Sequence, residues 1–305
     1  MSGRATPPVP NTAVRNAAVI SNVDASMRPP GAAAALSALL RDPRAALGLG
    51  LVALASAAAV TAPLIVPYPP DLPDFINILA PPSTGHWLGT DELGRDVLAR
   101  IIYGAQTSLF VGILSVGVAA LAGTVLGLVS GYFGRFIDAL IMRIMDVVFA
   151  FPSILLALAI SAVLGPSLGN AVLAIAVVNL PVFARIARAQ TLVVRELEFV
   201  EAKRALGFGT GNILLRTILP NILAPVIVQG SLLFASAIIT ESYLSFLGLG
   251  AQPPTATWGN MLRNAIGFME LAPWLAVFPG AAIFLTVLGC NLLGDGLRDR
   301  FDPRD

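Results

Sequence analysis

The sequence predicts an all-α fold, a polytopic transmembrane helical bundle with six spans. Three observations lead there. Of the 305 residues, 56% are hydrophobic and only 12% charged, and the mean hydropathy is +0.81, a composition foreign to water-soluble domains. Six apolar runs approach or reach the roughly 20 helical residues that cross a hydrocarbon core of about 30 Å. The runs are continuously apolar, whereas the strands of a membrane barrel alternate in short segments.

The runs extend over Ala45 to Val66, Leu109 to Phe133, Ile141 to Leu164, Ala171 to Phe183, Ile222 to Leu247 and Trp274 to Leu293. The fourth is the shortest, and its helix continues only if Arg185 and Arg188 snorkel to the interface. Residues 1–43 are rich in Pro, Ala and Arg without sustained apolar periodicity, which reads as a disordered cytoplasmic tail. The first run begins too far from Met1 and is too long for a cleaved signal segment, so it reads as a retained span. The expected division is a tail over 1–43, a first span with its outer loop over 44–104, a core transmembrane domain over 105–294 and a cytoplasmic tail over 295–305. Orientation follows from the retention of positive charge inside. With the N-terminus inside, sixteen of the nineteen Lys and Arg residues fall in inner segments, and only Arg95, Arg100 and Arg263 fall outside. Both termini are therefore expected in the cytoplasm.

Composition also excludes. A net charge of +1 offers no basic surface for nucleic acid. Cys290 is the only cysteine, so there is no disulfide framework, and its apolar neighbours make it a small core hydrophobe. His86, the only histidine, reads as a loop residue and leaves no His-built metal site. Lys203, the only lysine, follows Ala202 and precedes Arg204, so no Gly-Lys-Ser/Thr phosphate loop is present and any ATP is hydrolysed elsewhere. No cluster of catalytic groups stands near either interface, which disfavours an integral-membrane enzyme. A secondary transporter more typically places charged or unwound segments at mid-membrane and needs no docking element.

Between the spans, Pro67, Pro69, Pro70 and Pro73 favour extended chain in the outer loop. From Asp91 to Tyr103 a helix is expected, with Asp91 and Glu92 at its positive end and Val97, Ile101 and Ile102 as its apolar stripe. The inner loop over about 195–221 accommodates two short helices, one ending near Leu206 and one from Asn212 to Leu219 that Pro220 stops. Gly207, Gly209 and Gly211 punctuate their corner. The apolar face Ile213, Leu214, Ile218 and Leu219 suits a docking element, the alternative being a hairpin packed only on its own membrane domain. Within the spans, Glu241 carries two readings, an interhelical hydrogen bond or a cargo contact. Asp146 is expected to pair with an arginine or a helix terminus. Pro152, Pro181, Pro225 and Pro279 kink or start helices, and Gly112, Gly117, Gly123 and Gly127 permit close helix contact.

The stretch Glu201-Ala202-Lys203-Arg204-Ala205-Leu206-Gly207, with Ile218-Leu219-Pro220 ending thirteen residues after the glycine, resembles the EAA loop of bacterial ABC importer permeases. Lys203 stands where the second alanine is usual, and Thr217 where isoleucine is frequent. Three further stretches narrow the resemblance: His86-Trp87-Leu88-Gly89-Thr90-Asp91-Glu92-Leu93-Gly94-Arg95-Asp96, then Glu241-Ser242-Tyr243-Leu244-Ser245-Phe246-Leu247-Gly248, then Gly294-Asp295-Gly296-Leu297-Arg298-Asp299. They are similar to the dipeptide/oligopeptide (peptide/nickel) group, and to the second, C-type, of its two permease subunits. The likeness covers residues 85–304.

This resemblance implies a type I ABC importer permease fold with a cytoplasmic coupling hairpin, in which Glu201, Ala202, Lys203, Arg204, Gly207, Ile218, Leu219 and Pro220 couple to the ATPase. The implied partners are a homologous permease forming a heterodimer, two cytoplasmic ATPase subunits or one fused ATPase, an extracytoplasmic peptide-binding protein and the peptide cargo, all around a chain seated in the lipid of a bacterial inner membrane. ATP and Mg are then held by the ATPases, and this chain holds no cofactor. Relatives of the group carry nickel complexes, glutathione or other small solutes, so the cargo stays open.

Overall fold

The computed structural model describes residues 40–301; the expected tail over 1–43 thus lies almost wholly outside the described residues, as do the last four positions. Ten α-helices make up the described chain, with no strand among the described residues. They are α1 (Pro43–Ile65), α2 (Val97–Phe133), α3 (Arg135–Phe149), α4 (Ser153–Leu164), α5 (Leu168–Val194), α6 (Glu198–Ala205), α7 (Thr210–Ile213), α8 (Leu219–Phe246), α9 (Trp258–Ala265) and α10 (Trp274–Phe301). A π turn over Leu214–Ile218 fuses α7 to α8 into a helical rod spanning Thr210–Phe246.

Five of the six expected spans are single helices long and apolar enough to cross, namely α1, α2, α5, the α7–α8 rod and α10. The short fourth run grows into the 27-residue α5, with Arg185 and Arg188 inside the helix. The third run, Ile141 to Leu164, is the exception. It is broken into α3 and α4, bent by 91°. Pro152 removes a donor and disfavours helical backbone at Phe151, so α3 ends and Pro152 becomes the N-cap of α4. The pieces hold 15 and 12 residues, about 22 and 18 Å at the helical rise, so neither crosses alone.

α2 and α5 form the central pair. A stripe of glycines on α2 lets the backbones touch: a β-carbon at Gly123 would stand 2.6 Å from Phe183 Cβ, at Gly127 2.3 Å from the Ala184 carbonyl, and at Gly131 2.8 Å from Thr191 Cβ. Of the glycines expected to permit contact, Gly112 faces Phe234 of α8, whereas Gly117 meets nothing within 4 Å. α1 lies against α10, where Gly48 abuts the backbone at Gly289 and Leu293. α8 joins α2, α5 and α10. Of the four prolines, Pro152 starts a helix, while Pro181, Pro225 and Pro279 lie inside α5, α8 and α10.

In the loop before α2 the expected helix from Asp91 begins instead at Val97. Asp96 caps it by accepting from Ala99 N at 2.7 Å. Residues 91–95 form a turn in which Asp91 Oδ1 accepts from the backbone of Leu93 and Arg95, each at 2.9 Å. Gly94 takes φ +75° there, so the segment cannot be helix. α2 then runs unbroken into the second span, so the surface helix and the membrane helix are one element.

Candidate functional site

The hairpin between α5 and α8 is built from α6 to the start of α8. Glu198 and Glu201 occupy the first turn of α6 and Lys203 and Arg204 its last, the arrangement that complements a helix dipole. Val200 is buried with Leu128, Val194, Ile213, Ile218 and Ile222, which bolts the hairpin to the C-terminal ends of α2 and α5. The corner is a Schellman close: Phe208 N donates to Lys203 O at 3.1 Å and Gly207 N to Arg204 O at 3.0 Å. Gly207 has φ +77°, backbone that a β-carbon strains. Gly209 and Gly211 do not require glycine in this way; Gly209 is an extended N-cap.

Pro220 does not stop the second helix. In the π turn Leu219 N donates to Leu214 O, five residues back, and that wider turn makes room for the proline ring inside a continuous rod. Of the apolar face Ile213, Leu214, Ile218 and Leu219, Ile213 and Ile218 are buried and the others half-buried against the chain's own membrane domain. A different set is exposed: Leu206 at 75%, Leu215 at 61% and the Phe208 ring at 46%. Glu201, Ala202 and Arg204 are exposed beside them, as are Gly207 and Pro220. The two positions that depart from the EAA pattern meet, because Lys203 Nζ donates to Thr217 Oγ1 at 2.9 Å.

Behind the hairpin, ion pairs tie α5 to the broken span. Arg188 holds Asp138 with two hydrogen bonds, at 2.5 and 2.6 Å, and Ser130 donates to the same carboxylate. Arg185 Nη2 lies 2.8 Å from Asp146 Oδ1, the arginine partner expected for that residue, and its guanidinium covers the Phe149 ring. Sequence reasoning missed the Asp138–Arg188 pair; the one signal available is that Arg185 and Arg188 share a helix face, as do Asp138 and Asp146 when wound two turns apart.

A cavity of about 380 Å³ opens between α3, α4, α5 and α8. Its polar lining is uncharged: Ser153, Asn179, Ser236 and Thr240, among residues such as Phe151 and Val178. Glu241 is not part of this lining. It is fully buried, accepting from Ser108 of α2 at 3.1 Å and from Ser245 at 2.7 Å, and so ties α2 to α8. Around the start of α2, Arg95 bonds Asp91 at 2.7 Å and Glu92 at 3.0 Å, Arg100 reaches Pro70 O at 2.9 Å, and His86 Nδ1 lies 2.9 Å from Asp96. The acidic surroundings thus hold the two buried arginines, Arg95 and Arg100. Asp74, also in this loop, has its carboxyl held below the usual range by hydrogen bonds from the Asn77 side chain and the Ile76 backbone.

The helical domain thus combines a cavity lined by uncharged polar groups with an exposed hairpin. The chain belongs to the family of binding-protein-dependent transport system inner membrane components, whose model matches residues 123–304. It is 49% identical over 270 residues to the dipeptide transport system permease protein DppC of Alkalihalophilus pseudofirmus, covering 88% of this chain and 89% of that protein. Over 261 residues it is 48% identical to the glutathione transport system permease protein GsiD of Pectobacterium atrosepticum, covering 85% and 87%. A probable D,D-dipeptide transport system permease protein DdpC of Escherichia coli is 45% identical over 245 residues, covering 80% and 82%. Among solved structures, an inward-facing MetNI methionine ABC transporter matches with a TM-score of 0.52 at 17% identity, covering 66% of this chain and 95% of that one. The fold is that of an ABC importer's membrane subunit, and the chain is a multi-pass permease of that class.

Proposed function

We propose that this chain forms half of the translocation path of an importer for di- and oligopeptides in a bacterial inner membrane, with both termini in the cytoplasm. The observation that carries the coupling part of this reading is the Gly207 hairpin, which presents Leu206, Phe208 and Leu215 to solvent beside Glu201. An apolar ridge of this kind seats in a groove of a separate protein. That protein is a cytoplasmic ATPase, present as two chains or one fused chain, which binds ATP and Mg; this chain performs no chemistry and holds no cofactor. A homologous permease supplies the other half of the path, facing the cavity bounded by α3, α4, α5 and α8. An extracytoplasmic binding protein delivers the cargo. ATP-driven closure of the ATPases moves the hairpin, and the ion pairs Arg188–Asp138 and Arg185–Asp146 pass that movement from α5 to the broken span. Glu241 acts as an interhelical tie and not as a cargo contact, since its hydrogen bonds go to serines of its own and the adjoining helix.

The cargo assignment rests on relatives whose names specify dipeptides and glutathione. Both are short peptides, and an uncharged lining of hydroxyl and amide groups accepts peptide backbone without demanding a side-chain charge. The test is reconstitution in liposomes with the partner permease, the ATPases and the binding protein. Labelled dipeptide should accumulate only with ATP, and the purified chain alone should neither bind nor hydrolyse ATP. Hydrolysis by the isolated, contaminant-free chain would remove the permease reading. Accumulation of nickel complexes but not of dipeptide or glutathione would remove the peptide cargo alone.

Orientation has its own measurement. Reporters placed after Asp305 and near Gly207 should both signal cytoplasm, and one inserted near Thr255 should signal the outside. An outside signal near Gly207 would reverse the topology.

A further inference from the structure

Lys203 is the only lysine of the chain, and it sits in the hairpin, where a lysine would ordinarily extend into water. It turns inward. Its ammonium donates to Thr217 Oγ1 at 2.9 Å and stands 6.0 Å from the centre of the Phe208 ring. One side chain therefore touches three parts of the hairpin: α6, where it is rooted, the Gly207–Phe208 corner, and the π turn that leads into α8. Thr217 is 4% exposed, so its hydroxyl has little access to water. Its backbone carbonyl accepts from Asn221 Nδ2 at 2.6 Å. Polar bonds thus converge on the π turn just before Pro220, the place where the rod lacks a regular ladder.

We infer that the Lys203–Thr217 bond is a clasp that makes α6, the corner and the entry to α8 move as one body, and that Lys203 positions the hairpin without contacting the ATPase. This rests on the coupling role proposed for the hairpin and adds the part within it that transmits force. Without the clasp the π turn and Pro220 form a compliant joint, and movement of the corner is absorbed there before it reaches the membrane. With it, a push at Leu206 and Phe208 arrives at α8 undiminished. The outward face is left to the apolar ridge and to Glu201, so the groove that receives it has no need to meet the Lys203 charge.

The experiment is a double-substitution cycle in the reconstituted complex, reading peptide molecules imported per ATP hydrolysed together with ATPase co-purification. Lys203→Met keeps the length of the stem and removes the donor; Thr217→Val keeps the shape and removes the acceptor. Each single change should lower the import-to-hydrolysis ratio about tenfold, the factor produced by leaving a buried or half-buried polar group without its partner. The double variant should recover to within about twofold of the native ratio, because removing both partners of a part-buried bond is close to neutral. Co-purification of the ATPases should stay native in all three, which a residue contacting the ATPase would not allow. Native ratios in both single variants, with loss in Gly207→Val, would remove the clasp and leave the hairpin's role standing. Native ratios in Gly207→Val as well would remove both. Additive losses in the double variant would show that the two residues act separately, and would overturn the inference.

Discussion

Gly207→Val should abolish most uptake, by at least about tenfold, while the chain still enters the membrane in native amount. The corner holds φ +77°, and an L-residue there costs roughly 1–2 kcal/mol, more for a β-branched one; about 1.4 kcal/mol is a factor of ten. The strain is relieved by opening the Schellman close at Phe208 N and Gly207 N, which swings Leu206 and Phe208 away from their presented positions. Folding of the membrane domain is spared because a β-carbon at Gly207 meets no atom within 4 Å. The damage is therefore conformational and local. Gly207→Ala, free of β-branching, should lie between the two. The measurement is peptide uptake with ATPase co-purification at matched permease abundance. Unimpaired uptake and docking in Gly207→Val would place coupling elsewhere, with the inner segment Gly134 to Arg143 as the remaining candidate.

Gly127→Leu acts on the other link, packing, and should deplete the folded chain itself. A β-carbon at Gly127 would lie 2.3 Å from the Ala184 carbonyl and 2.7 Å from both Ala187 Cβ and Arg188 N. Those are backbone and short side-chain atoms, which cannot swing aside. α2 and α5 must separate, and overpacking of this kind costs about 1–3 kcal/mol or more out of a total stability of about 5–15 kcal/mol. Separation also pulls Arg188 from Asp138, so the tie to the broken span is lost together with the packing. We expect membrane abundance to fall severalfold and the extracted protein to unfold at lower temperature. Gly117→Ala is the matched control, since Gly117 lies on the same helix with nothing within 4 Å. Equal abundance and unfolding temperature for the two variants would contradict the close α2–α5 contact.

Legible in the chain alone is whatever depends on residues near one another in it. Apolar length marked the spans, since hydrocarbon transfer sums over neighbouring residues. Gly207 marked a left-handed corner, because the C-terminal end of a short helix followed by glycine is a local signature. Tertiary structure decided the rest. Pro152 is visible as a helix starter or kink, yet a 91° break leaves two pieces that α5 packs against and a second piece that α8 also meets. Local rules forbid proline in a regular turn and so predict a stop at Pro220; the π turn at Leu214–Ile218 sets that rule aside. The helix expected from Asp91 failed for the same kind of reason, since the Asp91 carboxylate accepts from the Leu93 and Arg95 backbones and Asp96 takes over the cap. Arg188 finds Asp138 fifty positions away and Lys203 finds Thr217 fourteen away. Hydropathy and spacing contain no term for pairs so distant; only the approach of α5 to α3, and of α6 to the π turn, brings those charges and hydroxyls within bonding distance.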